Sequence, residues 1–140
     1  MDRKPLYVEL PFRAKTYDVD FAGIVNNGVY IRWLEDLRLK LLDDYLPLEM
    51  LIERETIPVL RETKIRYLKP VHLIQRVVGR MWICEMGRVK FWLEAEFVVD
   101  DQIVADARQL GAFIHSIRRR PVAVPGELAE KYKETAFGRS

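Results

Sequence analysis

Cysteine is nearly absent from this chain: Cys84 stands alone, so no internal disulfide can form and no cysteine cluster can hold zinc or an iron–sulfur centre. Serine is almost as scarce. Only Ser116 and Ser140 occur, neither inside a Gly-x-Ser-x-Gly elbow, which excludes the usual serine-hydrolase arrangement. The two histidines, His72 and His115, are far apart and form no H-x-x-x-H or H-E-x-x-H pair, so both read as structural and no metal site is expected. The seven glycines are scattered, without a G-x-G-x-x-G or G-x-x-x-x-G-K-[ST] loop to cradle nucleotide phosphates. Long apolar runs are missing too. The longest stretch free of charged residues and histidine, Phe21 to Ile31, falls well short of the roughly 20 apolar residues a membrane-spanning helix needs. Charges and prolines in MDRKPLYVELPF interrupt what a secretory peptide would need, so a reducing, cytoplasmic setting is the expectation. What remains as candidate chemistry is carboxylate chemistry, or none.

The chain does have a globular composition: 140 residues, 49% hydrophobic and 31% charged, which fits one domain spanning residues 1–140. A net charge of +2 is too balanced to predict nucleic-acid binding, and the one local excess is Arg118, Arg119 and Arg120, an anion-attracting spot or a solvated turn. Leu6 to Thr16 reads as a strand interrupted by Pro11. The loop from Tyr17 to Asn27 follows, rich in turn and cap residues, and predicts a helix starting near Asn26 or Asn27. Tyr30, Trp33, Leu34, Leu37, Leu41 and Tyr45 then recur at three- and four-residue steps, the stripe of an amphipathic helix that Pro47 stops. Glu35 and Arg38 are spaced to pair on its flank. A short helical or irregular piece occupies 48–54. Strands are predicted at 57–67, 76–86, 89–99 and 103–117, with Val89, Phe91, Leu93, Ala95, Phe97 and Val99 alternating on one face of the third. A short helix over 127–133 closes the chain. The layout is α+β, an antiparallel sheet of about five strands wrapped around one long helix.

The segment Y-D-V-D-F-A-G-I-V-N-N-G-V-Y-I-R-W-L-E-D-L-R, followed by P-V-L-R-E-T-K-I-R-Y-L-K-P, resembles the hotdog-fold acyl-CoA thioesterases of the 4-hydroxybenzoyl-CoA thioesterase type. The resemblance runs over about residues 6 to 120, and the spacing of Asp20, Gly23, Val25, Asn27, Tyr30, Trp33 and Arg38 is its most specific part. It implies the hotdog fold and hydrolysis of an acyl-CoA or related acyl thioester, with no metal or redox cofactor. Asp20, the second Asp of D-x-D, would be the catalytic carboxylate, as nucleophile or general base, and Asp18 structural. The backbone N–H of Asn27 at the helix start would face the developing oxyanion, where a helix N-terminus offers unsatisfied donors and partial positive charge. Gly23, Val25 and Tyr30 would contact substrate, and Arg118, Arg119 and Arg120 would hold the CoA phosphates. The sequence departs from relatives with histidine at position 24 or histidine or tyrosine at 27, and it lacks the D-x-N-P-x-H pattern of hydratase-type hotdogs. The resemblance also implies a homodimer or homotetramer, with each site at the subunit interface. The rival reading is a non-catalytic hotdog domain that binds acyl-CoA as sensor or scaffold; a nucleic-acid or membrane partner is not expected.

Overall fold

Strand alternation and helical stripe assemble, in the computed structural model, which describes residues 4–137, into a five-stranded antiparallel sheet curved around one helix. In chain order the elements are β1 (Val8–Arg13), α1 (Val29–Tyr45), α2 (Leu48–Glu53), β2 (Thr56–Tyr67), β3 (Arg76–Met86), β4 (Lys90–Val99), β5 (Gln102–His115) and α3 (Gly126–Phe137). The strands lie in the order β1-β3-β4-β5-β2, so β1 and β2 are the edges.

The alternating residues of β4 do face the core. Phe91, Leu93, Ala95, Phe97 and Val99 are all buried against α1, whose own buried residues are Val29, Tyr30, Trp33, Leu34, Leu37 and Leu41. Phe97, fully buried, is the hub. Its ring lies 5.3 Å from Tyr30, 5.9 Å from Trp33 and 6.2 Å from Phe12, centroid to centroid. The helix can approach this closely because Gly79 of β3 has no side chain: a Cβ there would stand 2.6 Å from Cε2 of Phe12 and 3.1 Å from Cδ1 of Leu37. In β5 the run from Gly111 to Ile114 is buried on both faces, as its unbroken apolar character implies.

Three expectations need correction. The helix starts at Val29, not at Asn26 or Asn27. Those residues form a tight turn in which the carbonyls of Asn26 and Asn27 accept from Val29 and Tyr30, and Gly28, not an Asn side chain, takes the cap position. Arg38 does not pair with Glu35; its Nη1 instead donates to Oε1 of Gln109 on β5, 3.0 Å away. The closing helix runs further than 127–133, because Leu128 enters the core and the Tyr132 hydroxyl reaches the Cys84 carbonyl, contacts with the sheet that its sparse apolar stripe does not announce.

The edge β2 is the least covered strand. Leu60 to Lys64 are exposed, and a bulge interrupts its pairing with β5 between Leu60 and Glu62. A twelve-residue strand with one open edge is a feature that soluble proteins usually cover.

Candidate active site

The loop before α1 is held by its two aspartates, which have different tasks. Asp18 is buried, 4% exposed. Its Oδ1 accepts from Arg32 Nη2 at 2.6 Å and its Oδ2 from the Lys15 backbone N–H at 2.8 Å, while its own carbonyl accepts from Asn26 N–H. Both oxygens of Asp18 are therefore committed to structure. Asp20 is exposed and commits only one: Oδ1 accepts from the N–H groups of Ala22 (2.9 Å) and Ile24 (3.0 Å), whereas Oδ2 has no protein donor among the described residues. A carboxylate fixed through one oxygen with the other turned to solvent can attack an electrophile or take a proton from water.

The rest of the loop folds tightly around it. Val19 bridges Val25, and Gly23 N–H returns to the Asp20 carbonyl with Gly23 at φ +75°, a conformation favouring glycine. Val25 and Ile24 are stitched to the segment after β2, Val25 N–H to Val71 carbonyl and Ile24 to His72. This anchoring delivers the chain to Asn27 at the entrance of α1. Neither the Asn27 N–H nor the Gly28 N–H has a protein acceptor among the described residues, so two donors at a positive helix end are left available.

A cleft of about 200 Å³ opens beside these donors, lined by Ile24, Val25, Asn27, Tyr30, Tyr67 and Val71 among others. Tyr67, at the end of β2, was not singled out from the sequence, although it lies within the quoted R-Y-L-K-P. Its hydroxyl donates to the Asn27 carbonyl at 3.2 Å, and its ring stands edge-on to Tyr30 at 5.3 Å. Arg32, which holds Asp18, was missed as well; it lies on the exposed side of the helical stripe, where nothing in the sequence separates a brace from a solvated charge.

Burial, and secondarily the neighbouring Tyr67, pushes the Tyr30 hydroxyl up to about 12, so it remains a protonated donor at any physiological pH. The shift favours the protonated folded form, so its contribution to stability is complete below the ordinary tyrosine value near 10 and is lost as pH rises towards about 12. Unfolding midpoints measured across pH 10 to 12 should therefore fall more steeply for the native chain than for Tyr30→Phe. Parallel curves would show that Tyr30 does not ionise with folding.

Val25, Asn27 and Tyr30 share the wall of this cleft, while Asp20 and Gly23 lie outside its lining and are joined to it through the loop, Asp20 by its hydrogen bonds with Ile24 and Gly23 by its carbonyl, which accepts from Leu73 N–H. The arginine cluster does not join them within one chain. Arg118, Arg119 and Arg120 form an exposed turn after β5, closed by Arg119 N–H to His115 carbonyl and His115 N–H to Arg120 carbonyl. His115 pairs with Thr56, the first residue of β2, whereas Tyr67 at the last residue reaches Asn27. At about 3.3 Å per residue, the length of β2, roughly 35 Å, separates the two. His115 itself is occupied structurally: its Nδ1 accepts from the N–H groups of Ile117 and Arg118, and its Nε2 lies 3.1 Å from Glu55. No group of three or more metal-ligating side chains occurs among the described residues, and no helix there is long and apolar enough to cross a membrane.

An antiparallel sheet of this order wrapped around a central helix is the hotdog fold, and solved hotdog structures superimpose on it. Residues 14–132 match the thioesterase-like superfamily, and the chain belongs to that family. The gentisyl-coenzyme A thioesterase BH1999 shares 22% identity at a TM-score of 0.78, over 87% of this chain and 99% of that one. A thioesterase from Thermus thermophilus, solved in complex with coenzyme A and Zn, shares 20% identity at 0.80, over 97% of each chain. The Staphylococcus aureus protein SAV2348, solved in complex with CoA, shares 12% at 0.88, over 100% of this chain and 90% of that one. Identities this low establish a shared fold. No curated protein matches the chain by sequence.

Proposed function

We propose that the chain hydrolyses an acyl-CoA or related acyl thioester, with Asp20 attacking the carbonyl or activating water and the Asn27 N–H donating to the developing oxyanion. What supports this reading is an exposed carboxylate, one oxygen fixed and one without a protein donor, on the loop that runs directly into the unpaired N–H donors at the start of α1. A thioester carbonyl is already reactive, so a positioned carboxylate and one or two preorganised donors suffice. Tyr30, which borders the same cleft, keeps its hydroxyl protonated and so able to donate. Membership of the thioesterase-like superfamily and the CoA complexes of two structural neighbours support the substrate class. Parallel assays of free-thiol release from one acyl group carried on CoA and on an acyl-carrier protein test the reading; release from at least one is expected.

In this reading the working unit is at least a dimer, because two copies joined antiparallel along β2 would remove the open edge and close a two-fold contact. The same pairing sets the Thr56 end of one β2 beside the Tyr67 end of the other. The arginine turn of one chain then lies near the Asp20 loop of its partner, where arginine forks suit the CoA phosphates. Replacing Arg118, Arg119 and Arg120 by Ala should raise KM for CoA esters several-fold and flatten its salt dependence, with kcat little changed. An unchanged KM across a salt series would return the cluster to a solvated turn. Light scattering should report a mass of at least two chains; a fully active monomer at assay concentration would remove the partner from the site.

A further inference from the structure

A second, mainly apolar cavity lies away from the Asp20 loop. It lies between the second half of α1 and the first half of β2, holds about 420 Å³ and falls in the range of small-molecule sites. Leucines of α1 and α2, residues 57–60 of β2, and Phe91 and Phe113 line it, and the only charged side chains in its wall are Glu35 and Arg38. Glu35 is exposed, so water screens it. Arg38 is half-buried and makes no ion pair among the described residues. Its one hydrogen bond goes to the neutral Gln109 amide, whose Nε2 is in turn committed to Thr63 Oγ1 at 3.1 Å. Gln109 is 2% exposed, so this relay fixes the guanidinium without neutralising it. Burial pushes the Arg38 guanidinium down from its ordinary value, the sign of a cation held partly out of water. Such a charge is costly unless an anion meets it, and the planar fork of arginine suits a carboxylate.

We propose that this cavity binds a carboxylate carried on an apolar chain or ring, the apolar part among the leucines and phenylalanines and the carboxylate on Arg38. Two sources share that chemistry: a free carboxylic acid, and the far end of an acyl thioester that bears a second carboxylate. The inference concerns binding and stands whether or not Asp20 is catalytic.

Calorimetric titration of the full chain with octanoate and with 1-octanol, ligands of equal length and different charge, tests it. Octanoate should bind at least tenfold more tightly, and Arg38→Met should erase that preference while leaving 1-octanol binding in place. Because Arg38→Met strips the Gln109 oxygen of its donor and can cost folding, Leu60→Trp provides a second variant. Leu60 is in the cavity wall and 38% exposed within one chain, on the edge along which two copies would pair, so the larger ring should exclude both ligands, with melting temperature and light scattering showing that fold and assembly are kept. Equal affinities for the two ligands in the native chain, no binding of either, or octanoate binding that survives both variants would overturn the proposal. The source follows from kcat/KM for octanoyl-CoA against its ω-carboxy counterpart. A preference for the ω-carboxy ester that Arg38→Met removes assigns the site to the acyl group, and octanoate binding without such a preference assigns it to a free acid; either supports the carboxylate site.

Discussion

Asp20→Asn should lower turnover of a thioester by about 10²–10⁴-fold, a loss of roughly 3–5 kcal/mol of transition-state stabilisation, with the fold intact. The substitution is clean for a structural reason. The Asn side chain keeps the oxygen that accepts from Ala22 and Ile24, so the loop retains its brace, and its amide nitrogen replaces the oxygen that has no protein donor. Asp20→Ala would be a poorer probe, since it removes the brace together with the charge. Asp18→Asn supplies the contrast. Both oxygens of Asp18 accept hydrogen bonds, one of them from Arg32, so the neutral variant should lower the melting temperature and leave kcat within a few-fold. Near-native turnover in Asp20→Asn, with an unchanged melting temperature, would mean that this carboxylate only shapes the loop.

The second large effect is on stability. Phe97→Ala removes the ring on which Phe12, Tyr30 and Trp33 converge and should cost about 3–5 kcal/mol, a sizeable part of the roughly 5–15 kcal/mol that holds a domain of this kind together. Full burial of Phe97 among three aromatic rings leaves little room for the surroundings to collapse into the void. The denaturant midpoint should fall with little change in m, at a fixed protein concentration so that association does not mask the effect. Because Tyr30 loses a neighbour that fixes its ring, KM for a thioester should rise as well, at a temperature where the variant remains folded. A cost below about 1 kcal/mol would show that Trp33 and Phe12 repack into the space.

Local signals carried much of the fold. Gly87 breaks the pattern cleanly between β3 and β4, and β3 occupies the predicted 76–86; the period-two face of β4 is buried from Phe91 to Val99, while Val89 falls just before the strand and is half-buried. Features set by contacts distant in sequence were not legible. Arg38 takes its partner from Gln109, 71 residues away, although Glu35 is the neighbour that helical spacing offers. The strand order and register that leave the arginine turn at the far end of β2 are tertiary facts, and so is the cavity beside Arg38. For the candidate site, the aspartate pair and the Asn27 position were visible through resemblance to a family. That Asp18 spends both oxygens on structure while Asp20 keeps one open follows from the coordinates alone.

Hydrolysis itself is tested most directly by a single turnover, with the chain in excess over a labelled acyl-CoA that it binds. The bound ester should be converted to free acid and CoA faster than it decays in buffer, and Asp20→Asn should bind the same ester but slow its conversion by at least about 100-fold. An ester that the native chain binds tightly and returns intact, across aromatic, short and long acyl groups on either thiol carrier, would contradict hydrolysis and leave a domain that holds acyl thioesters without cleaving them.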